Sequence, residues 1–323
     1  MVEIDQSVCS NCHRRVVTEV PRCARCGTAR PGSGWPIDLL LGSQVGGRFE
    51  VTEIIGRGGF GTVYEAVHRL LGGRRAIKVL RQDLSHENTV YERFRREANV
   101  LYQLRAPQLV KVEDFGQLDD GRPYMVMELV NGERLDRLIR ADGEFDALRV
   151  IRLTRQLLLA LAEAHAAGIL HRDLKSENII LVPSEDGTER LKLLDLGISY
   201  LLGSSKRLTR ATRTIGTPEY MSIEQWMGLD DIDGRADLYS LGVLMYEMLA
   251  ARVPFPREEV GGSAAIYDLV RKGDVVPISA YRQDLPRGLE GLVHRLLSAD
   301  REFRPATAGE ALAELERVRA GMK

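Results

Sequence analysis

The sequence predicts an α+β protein with a small cysteine-bearing module at its front, on three observations. All four cysteines fall between Cys9 and Cys26, and none occurs in the remainder. After residue 48 come strand-like segments rich in Val, Ile and Thr, interrupted by a cluster of glycines. Further on, runs of helical type dominate, among them "LTRQLLLALAEAHAAGIL" and "RADLYSLGVLMYEML".

Length and charge bound what such a chain can do. Its 323 residues suit one large domain or two moderate ones plus an appendage. The formal net charge of −1 creates no global field toward nucleic acid or an anionic membrane, so neither is an expected partner. The longest apolar candidate, "LYSLGVLMYEMLAA", is too short to span a bilayer and carries Glu247. The start "MVEIDQSVCS" lacks the basic stretch and apolar core of a secretion signal. The expectation is a cytoplasmic protein with reduced thiols.

The front module, residues 1–30, reads "CSNCHRRVVTEVPRCARCG" at its centre. Cys9 and Cys12 form one CxxC pair, Cys23 and Cys26 a second. Two such turns can complete a tetrahedron of thiolates around Zn²⁺. Gly27 follows Cys26 where a knuckle turn needs positive φ. The β-prone "RRVVTEV" is expected to form a short hairpin, and His13 to be a solvated surface residue. Two disulfides suit an oxidising compartment instead, and redox CxxC chemistry wants a βαβ context that is missing here. The segment is similar to the small zinc ribbons of intracellular proteins, which implies a structural metal that supplies most of the folding energy. A protein partner at this ribbon is one possible role. Residues 31–47, rich in Gly, Ser and Pro, read as a linker whose "IDLLL" could dock on its neighbour.

Next comes "RFEVTEIIGRGGFGTVYEAVH", in which Gly56, Gly58, Gly59 and Gly61 crowd between strand-like segments. A dinucleotide-binding turn of the same spacing must open into a helix. Here the Thr, Val and Tyr that follow favour a second strand, giving a hairpin whose tip can cover a phosphate chain. An ordinary glycine-heavy hairpin is the plain alternative. "RRAIKVL" then places Lys78 in an apolar strand, either snorkelling at an edge or paired with a carboxylate and phosphate. In "YERFRREANVLYQL", Phe94, Ala98, Leu101 and Leu104 mark a helical stripe with Glu97 beside it, able to meet Lys78.

With "HRDLKSEN" at residues 171–178 and "LLDLGIS" at 193–199, the motifs occur in an order and at separations that closely resemble the eukaryotic-like, Hanks-type Ser/Thr protein kinases of bacteria. The resemblance covers residues 48–318. It implies a bilobal protein-kinase fold, with a small β-rich N-lobe holding one key helix and a large, mainly helical C-lobe. It also implies a non-specific serine/threonine kinase that uses ATP and Mg²⁺ and acts on protein Ser/Thr hydroxyls. In that register Asp173 accepts the substrate proton, Lys175 neutralises phosphate charge, and Asn178 and Asp195 hold Mg²⁺. Lys78 and Glu97 form the N-lobe ion pair. The nucleotide site takes in Ile55, Gly56, Arg57, Gly58, Gly59, Phe60, Gly61, Thr62 and Val63. Ala76, Met127 as gatekeeper, Glu128, Val130 and Ile180 complete it. Leu196 stands where relatives have Phe.

From Asp195 to Glu224 runs a Ser/Thr-rich activation segment. Arg172, beside the catalytic Asp, places the chain among relatives whose segment is switched by phosphate, with Thr212 or Thr214 and then Thr209 as autophosphorylation sites. Thr217 is expected near Asp173 and Lys175, Glu224 to pair with Arg304, and Asp237 to hold backbone N–H groups of the catalytic loop. Ile223 replaces the family's usual Pro, which removes a φ constraint from the peptide floor. Two other readings are an ATP-binding pseudokinase scaffold acting through protein contacts and a small-molecule kinase. The presence of Lys78, Asp173 and Asp195 speaks against the first, and the peptide floor against the second.

Overall fold

The computed structural model describes residues 6–59, 61–85, 88–185, 187–194, 217–286 and 288–322. For residues 84, 85, 88–90, 93 and 97 it describes the backbone alone. Phe60, Asp195 and the threonines at 209, 212 and 214 therefore lie outside the described residues, as does the side chain of Glu97. The chain divides into two compact units, one of residues 1–103 and 111–129, the other of 104–110 and 130–323.

The first unit is built on a six-stranded antiparallel sheet. Its strands are β1 (Gln44–Val45), β2 (Phe49–Arg57), β3 (Gly61–His68), β4 (Arg74–Leu80), β5 (Val112–Gln117) and β6 (Pro123–Glu128), in the order β1-β2-β3-β4-β6-β5. β-branched and aromatic residues at alternate positions put Phe49, Val51, Ile77 and Val126 into one core. The short α1 (Gln82–Ser85) and α2 (Asn88–Gln103) follow β4, and α2 buries Phe94, Ala98 and Leu101 of the stripe read from the sequence, while Leu104 lies beyond the helix end and is half-buried.

Residues 31–47, read as a linker, end in a strand, and their "IDLLL" docks on the neighbouring sheet as expected. β1 pairs with β2, and Leu41 is fully buried in the sheet's core together with Val8 of the front module. The hairpin expected from "RRVVTEV" does not form. Among the described residues this stretch contributes one bridge, Val8 to Arg15, while Val16 turns into a small core with Trp35 and the cysteines. The two CxxC turns, rather than strand pairing, organise so short a segment.

The second unit is mainly helical. Its helices are α3 (Leu135–Asp142), α4 (Ala147–Ala166), α5 (Ile223–Met227), α6 (Arg235–Ala250), α7 (Arg257–Val260), α8 (Ser263–Lys272), α9 (Leu289–Leu296) and α10 (Ala308–Ala320). A small sheet, β7 (Glu133–Arg134), β8 (Ile179–Pro183) and β9 (Glu189–Leu193), flanks the catalytic-loop motif. Side-chain caps set the helix starts: Asp146 accepts from Arg149 N–H at the head of α4, and Thr307 from Glu310 N–H at the head of α10. In α6 every residue from Ala236 to Ala250 is buried except Glu247, as its all-round apolar sequence demands. Among the described residues, no helix is long and apolar enough to cross a membrane.

Candidate active site

The glycine turn joins β2 to β3 as a hairpin, with Gly56 opposite Val63, Arg57 opposite Thr62, and Gly58 N–H bonded to Gly61 O at 2.9 Å. Its glycines serve two purposes. A Cβ on Gly61 would lie 2.3 Å from the carbonyl oxygen of Val79 on β4, so strand packing itself forbids a side chain. A Cβ on Gly56, Gly58 or Gly59 would meet nothing within 4 Å, and none of the three has positive φ. The fold does not need glycine at those three positions, which leaves the turn open to close approach by a ligand. Lys78 is buried on β4, opposite Val63 and Met125, and Ala76 is buried opposite Met127. Ile55, Thr62, Val63 and Glu128 are half-buried in the same unit. The chain passes from the first unit to the second between Leu129 and Val130, inside the expected hinge. Val130 and Ile180 are half-buried in the second unit.

In the second unit the motif "HRDLKSEN" forms a loop closed by a short 3₁₀ turn, Ser176–Asn178. Lys175 Nζ lies 3.1 and 2.9 Å from the two carboxylate oxygens of Asp173 and donates to Thr217 Oγ1 at 2.9 Å. Asn178 Nδ2 donates to Asp173 O at 2.8 Å and to Asp173 Oδ2 at 3.3 Å. Lys175 and Asn178 thus meet on one carboxylate, and Thr217 holds Lys175.

Asp237, fully buried at the start of α6, fixes the loop from behind. Its Oδ1 accepts from Arg172 N–H at 2.7 Å, and its Oδ2 from His171 N–H and His165 Nε2, both at 2.8 Å. Burial alone would raise this carboxyl. The hydrogen bond from His165 and the charges of His165 and His171 outweigh it and hold the group below its ordinary value. These bonds also hold Arg172 at φ 59°, a left-handed conformation unfavourable for a side chain of its size.

Glu224 and Arg304 form a bidentate pair at 2.6 and 3.1 Å, with side-chain exposures of 3% and 0%. Arg304 also donates to the carbonyls of Ser298, Arg235 and Ala299, so all five guanidinium N–H groups are used. The proline missing at Ile223 is replaced by another device. Ser222 and Gln225 make a reciprocal capping box at the head of α5, and Gln225 Nε2 reaches Arg172 O at 2.8 Å. The helix start that a proline would favour is set here by side-chain bonds.

Sequence reading missed one buried cluster. Tyr220 OH donates to Glu247 Oε2 at 2.6 Å, and Ser176 Oγ lies 3.1 Å from both Glu247 Oε1 and Tyr220 OH. Burial pushes the Glu247 carboxyl up to about 7, against the opposing pull of the Tyr220 and Ser176 hydrogen bonds. Three groups in a ring need three protons to bond all round. The neutral acid supplies the third, which the carboxylate lacks. The available signal was a lone Glu in an otherwise apolar helix.

In the front module the two CxxC turns repeat one geometry. His13 N–H donates to Cys9 O at 3.0 Å, and Gly27 N–H to Cys23 O at 2.9 Å. His13 (φ 57°) and Gly27 (φ 73°) both adopt the left-handed conformation. His13 is half-buried rather than solvated, because it closes the first knuckle as Gly27 closes the second; burial, then the charge of Arg57, lower its pKa. The cysteines are free, and their four Sγ atoms lie within 4.8 Å of one another. Cys9 to Cys26 is 3.5 Å and Cys12 to Cys23 is 3.6 Å. Hydrogen bonding to Thr28 brings the Cys26 thiol down to about 6, while burial pushes Cys12 up to about 12.

The hairpin, the buried strand lysine and the carboxylate-centred loop are those of a protein kinase. A family profile described as the protein kinase domain matches residues 49–314, and the chain belongs to that family. Among curated proteins it is 36% identical over 286 residues to the serine/threonine-protein kinase pkn3 of Myxococcus xanthus, covering 87% of this chain and 52% of that protein. It is 36% identical over 283 residues to PknB of Mycobacterium tuberculosis, covering 86% of this chain and 44% of that one. The chain therefore spans about half the length of these relatives, or less. Among solved structures, a double-mutant form of the kinase domain of Mycobacterium tuberculosis PknI is similar at 25% identity and a TM-score of 0.68, over 87% of this chain and 99% of that one.

Proposed function

We propose that the chain transfers the γ-phosphoryl group of ATP to Ser or Thr hydroxyls of protein substrates. The observation that carries this reading is the meeting of Lys175 and Asn178 on the Asp173 carboxylate, with Thr217 holding the Lys175 ammonium. Asp173 takes the proton of the substrate hydroxyl and orients its oxygen. Lys175, already held by Asp173 and Thr217, offers its ammonium to charge developing on the transferred group. Asn178 commits its N–H to Asp173 and keeps Oδ1 as an oxygen donor, which fits a hard cation; Asp195 is its proposed companion. Magnesium, when bound, neutralises phosphate charge. The glycine turn supplies backbone N–H groups over the phosphates, and Lys78, with Glu97, supports them from β4. Ala76, Val63 and Met127 are the proposed contacts of the base in the first unit. The N–H of Glu128 is taken by Lys111 O at 3.0 Å, so its part toward the base falls to its carbonyl. Phosphate on Thr212, Thr214 or Thr209 would pair with Arg172 and order the segment.

The front module is proposed as a structural zinc ribbon. Its sulfur separations of 3.5 and 3.6 Å fit a tetrahedral Zn²⁺, whose bonds of roughly 2.3 Å place sulfurs about 3.8 Å apart. Its boundary at residue 30 and the kinase domain at 48–318 are proposed divisions. Four free thiols suit the cytoplasm, our proposed location.

Transfer of radiolabelled phosphate to a basic acceptor protein tests the catalytic reading. Wild-type chain labels Ser and Thr, and Asp173→Asn loses that labelling by about a thousandfold or more while still binding ATP. Labelling that survives Asp173→Asn, or wild type that binds ATP and never labels, rejects it. The second result is the pseudokinase outcome.

A further inference from the structure

The stretch between the cysteine module and β2 contains a side chain that no motif singled out. The Asp38 carboxylate, 11% exposed, accepts from Arg57 Nη2 at 2.6 Å, from Tyr64 OH at 3.0 and 3.3 Å, and from Leu40 N–H at 3.1 Å. Arg57 is the last residue of β2, and Tyr64, 3% exposed, is the fourth of β3. One carboxylate thus grips both strands at the root of the glycine turn. Its own position is fixed from outside the sheet. Asp38 N–H donates to Gln6 O at 2.9 Å, Ser7 bridges Ile37, and Gln6 Nε2 donates to Leu41 O at 2.9 Å. The module has a second hold on the same strand, Arg14 to Glu53 at 2.8 Å.

We infer that Asp38 is a positioning residue for the glycine turn, acting through Arg57 and Tyr64 to set where the turn's N–H groups meet the nucleotide phosphates. The inference rests on the reading of that turn as a phosphate cover. It gives the cysteine module a place in catalysis, as the outer abutment of the turn. Strands β2 and β3 diverge from their pairing with irregularities at Val51/Glu53 and Ile54/Gly56, next to the Arg57 and Tyr64 contacts. A hairpin bulged at its root has a soft tip, and a charged clamp across the root restricts it.

The test uses the full chain as wild type, Asp38→Ala, Asp38→Asn and Tyr64→Phe. Calorimetry gives the affinities for Mg-ATP and for adenosine, which carries no phosphate, and steady-state kinetics give kcat and KM for ATP. Loss of a charge-assisted clamp should weaken ATP binding and raise KM by about tenfold in Asp38→Ala. Adenosine affinity should stay within about twofold, and kcat should change less than KM. Asp38→Asn, which keeps acceptors for Tyr64 and Leu40, should fall between, as should Tyr64→Phe. If ATP and adenosine weaken alike, Asp38 merely holds the lobe together and the inference is overturned. Unchanged ATP affinity overturns it too. Wild type that binds no ATP removes the phosphate-cover reading beneath it, an outcome the wild-type titration identifies by itself. Should Asp38→Ala not fold, the other two variants are judged by the same ratio.

Discussion

Replacing Glu247 by Gln should remove a pH dependence built into the second unit. In the folded chain this carboxyl titrates at about 7, against an ordinary 4.5. Below pH 4.5 the folded and unfolded states both hold the proton, and the group contributes no slope. Between 4.5 and 7 the folded state keeps a proton that the unfolded state has released, so stability falls as pH rises. Above 7 the loss is complete. A shift of that size corresponds to about 3 kcal/mol at 1.36 kcal/mol per pKa unit. Glutamine's carbonyl can accept from Tyr220 and one of its two N–H groups can donate to Ser176, as the neutral acid does. Tyr220 and the charges of Glu177 and Asp136 are the neighbours that tune the group, and all stay in place. The assay is urea unfolding at pH 5.5, 7 and 8.5, followed by tryptophan fluorescence. Wild type should lose stability from 5.5 to 8.5, and Glu247→Gln should lose about 2 kcal/mol less over that range. Parallel profiles for the two proteins, or a variant that is less stable at every pH, would refute the three-proton ring.

Two other outcomes follow from buried geometry. Arg304→Lys keeps the charge but has three N–H donors for five acceptors, and it should destabilise the second unit by about 3–5 kcal/mol, read from the urea midpoint; a loss under about 1 kcal/mol contradicts the five-bond account. Metal analysis should find one zinc per chain, and a strong chelator should expose Trp35, now buried against Cys9 and Cys23, with a red shift in its emission. Metal-free protein with an unshifted spectrum would sink the ribbon.

The motif-bearing parts of the site were legible because each depends on residues close in sequence. The glycine hairpin, the Asp173 to Asn178 loop and the paired cysteines carry their geometry in their spacing. Asp237, Glu224 and Arg304 lie far apart along the chain, and only the family register brought them together. What stayed hidden depends on chance meetings of distant, ordinary residues. Asp38 sits in a Gly- and Pro-rich stretch whose composition suggests a loose tether, and nothing local announces that Arg57 and Tyr64 will meet it. His13 looked like a surface residue because its role is a backbone angle, which sequence reveals for glycine and conceals for histidine. Ser176, Tyr220 and Glu247 come from three separate elements, and Gln225 compensates for a missing proline through its capping box with Ser222 while also reaching Arg172 O. Each belongs to tertiary packing, where composition and period carry no information.

The helix Arg235–Ala250 has walls on every side and no wet face. Most helices can be cut free along their solvent side, or tolerate a tag or a charge there. This one offers no such margin, since stripping any neighbour bares apolar surface along its length. A version of the second unit cut so that this helix loses its neighbours should therefore lose its fold. The amide protons at the centre of this helix should exchange with solvent only when the whole unit opens, which makes them an internal gauge of its total stability.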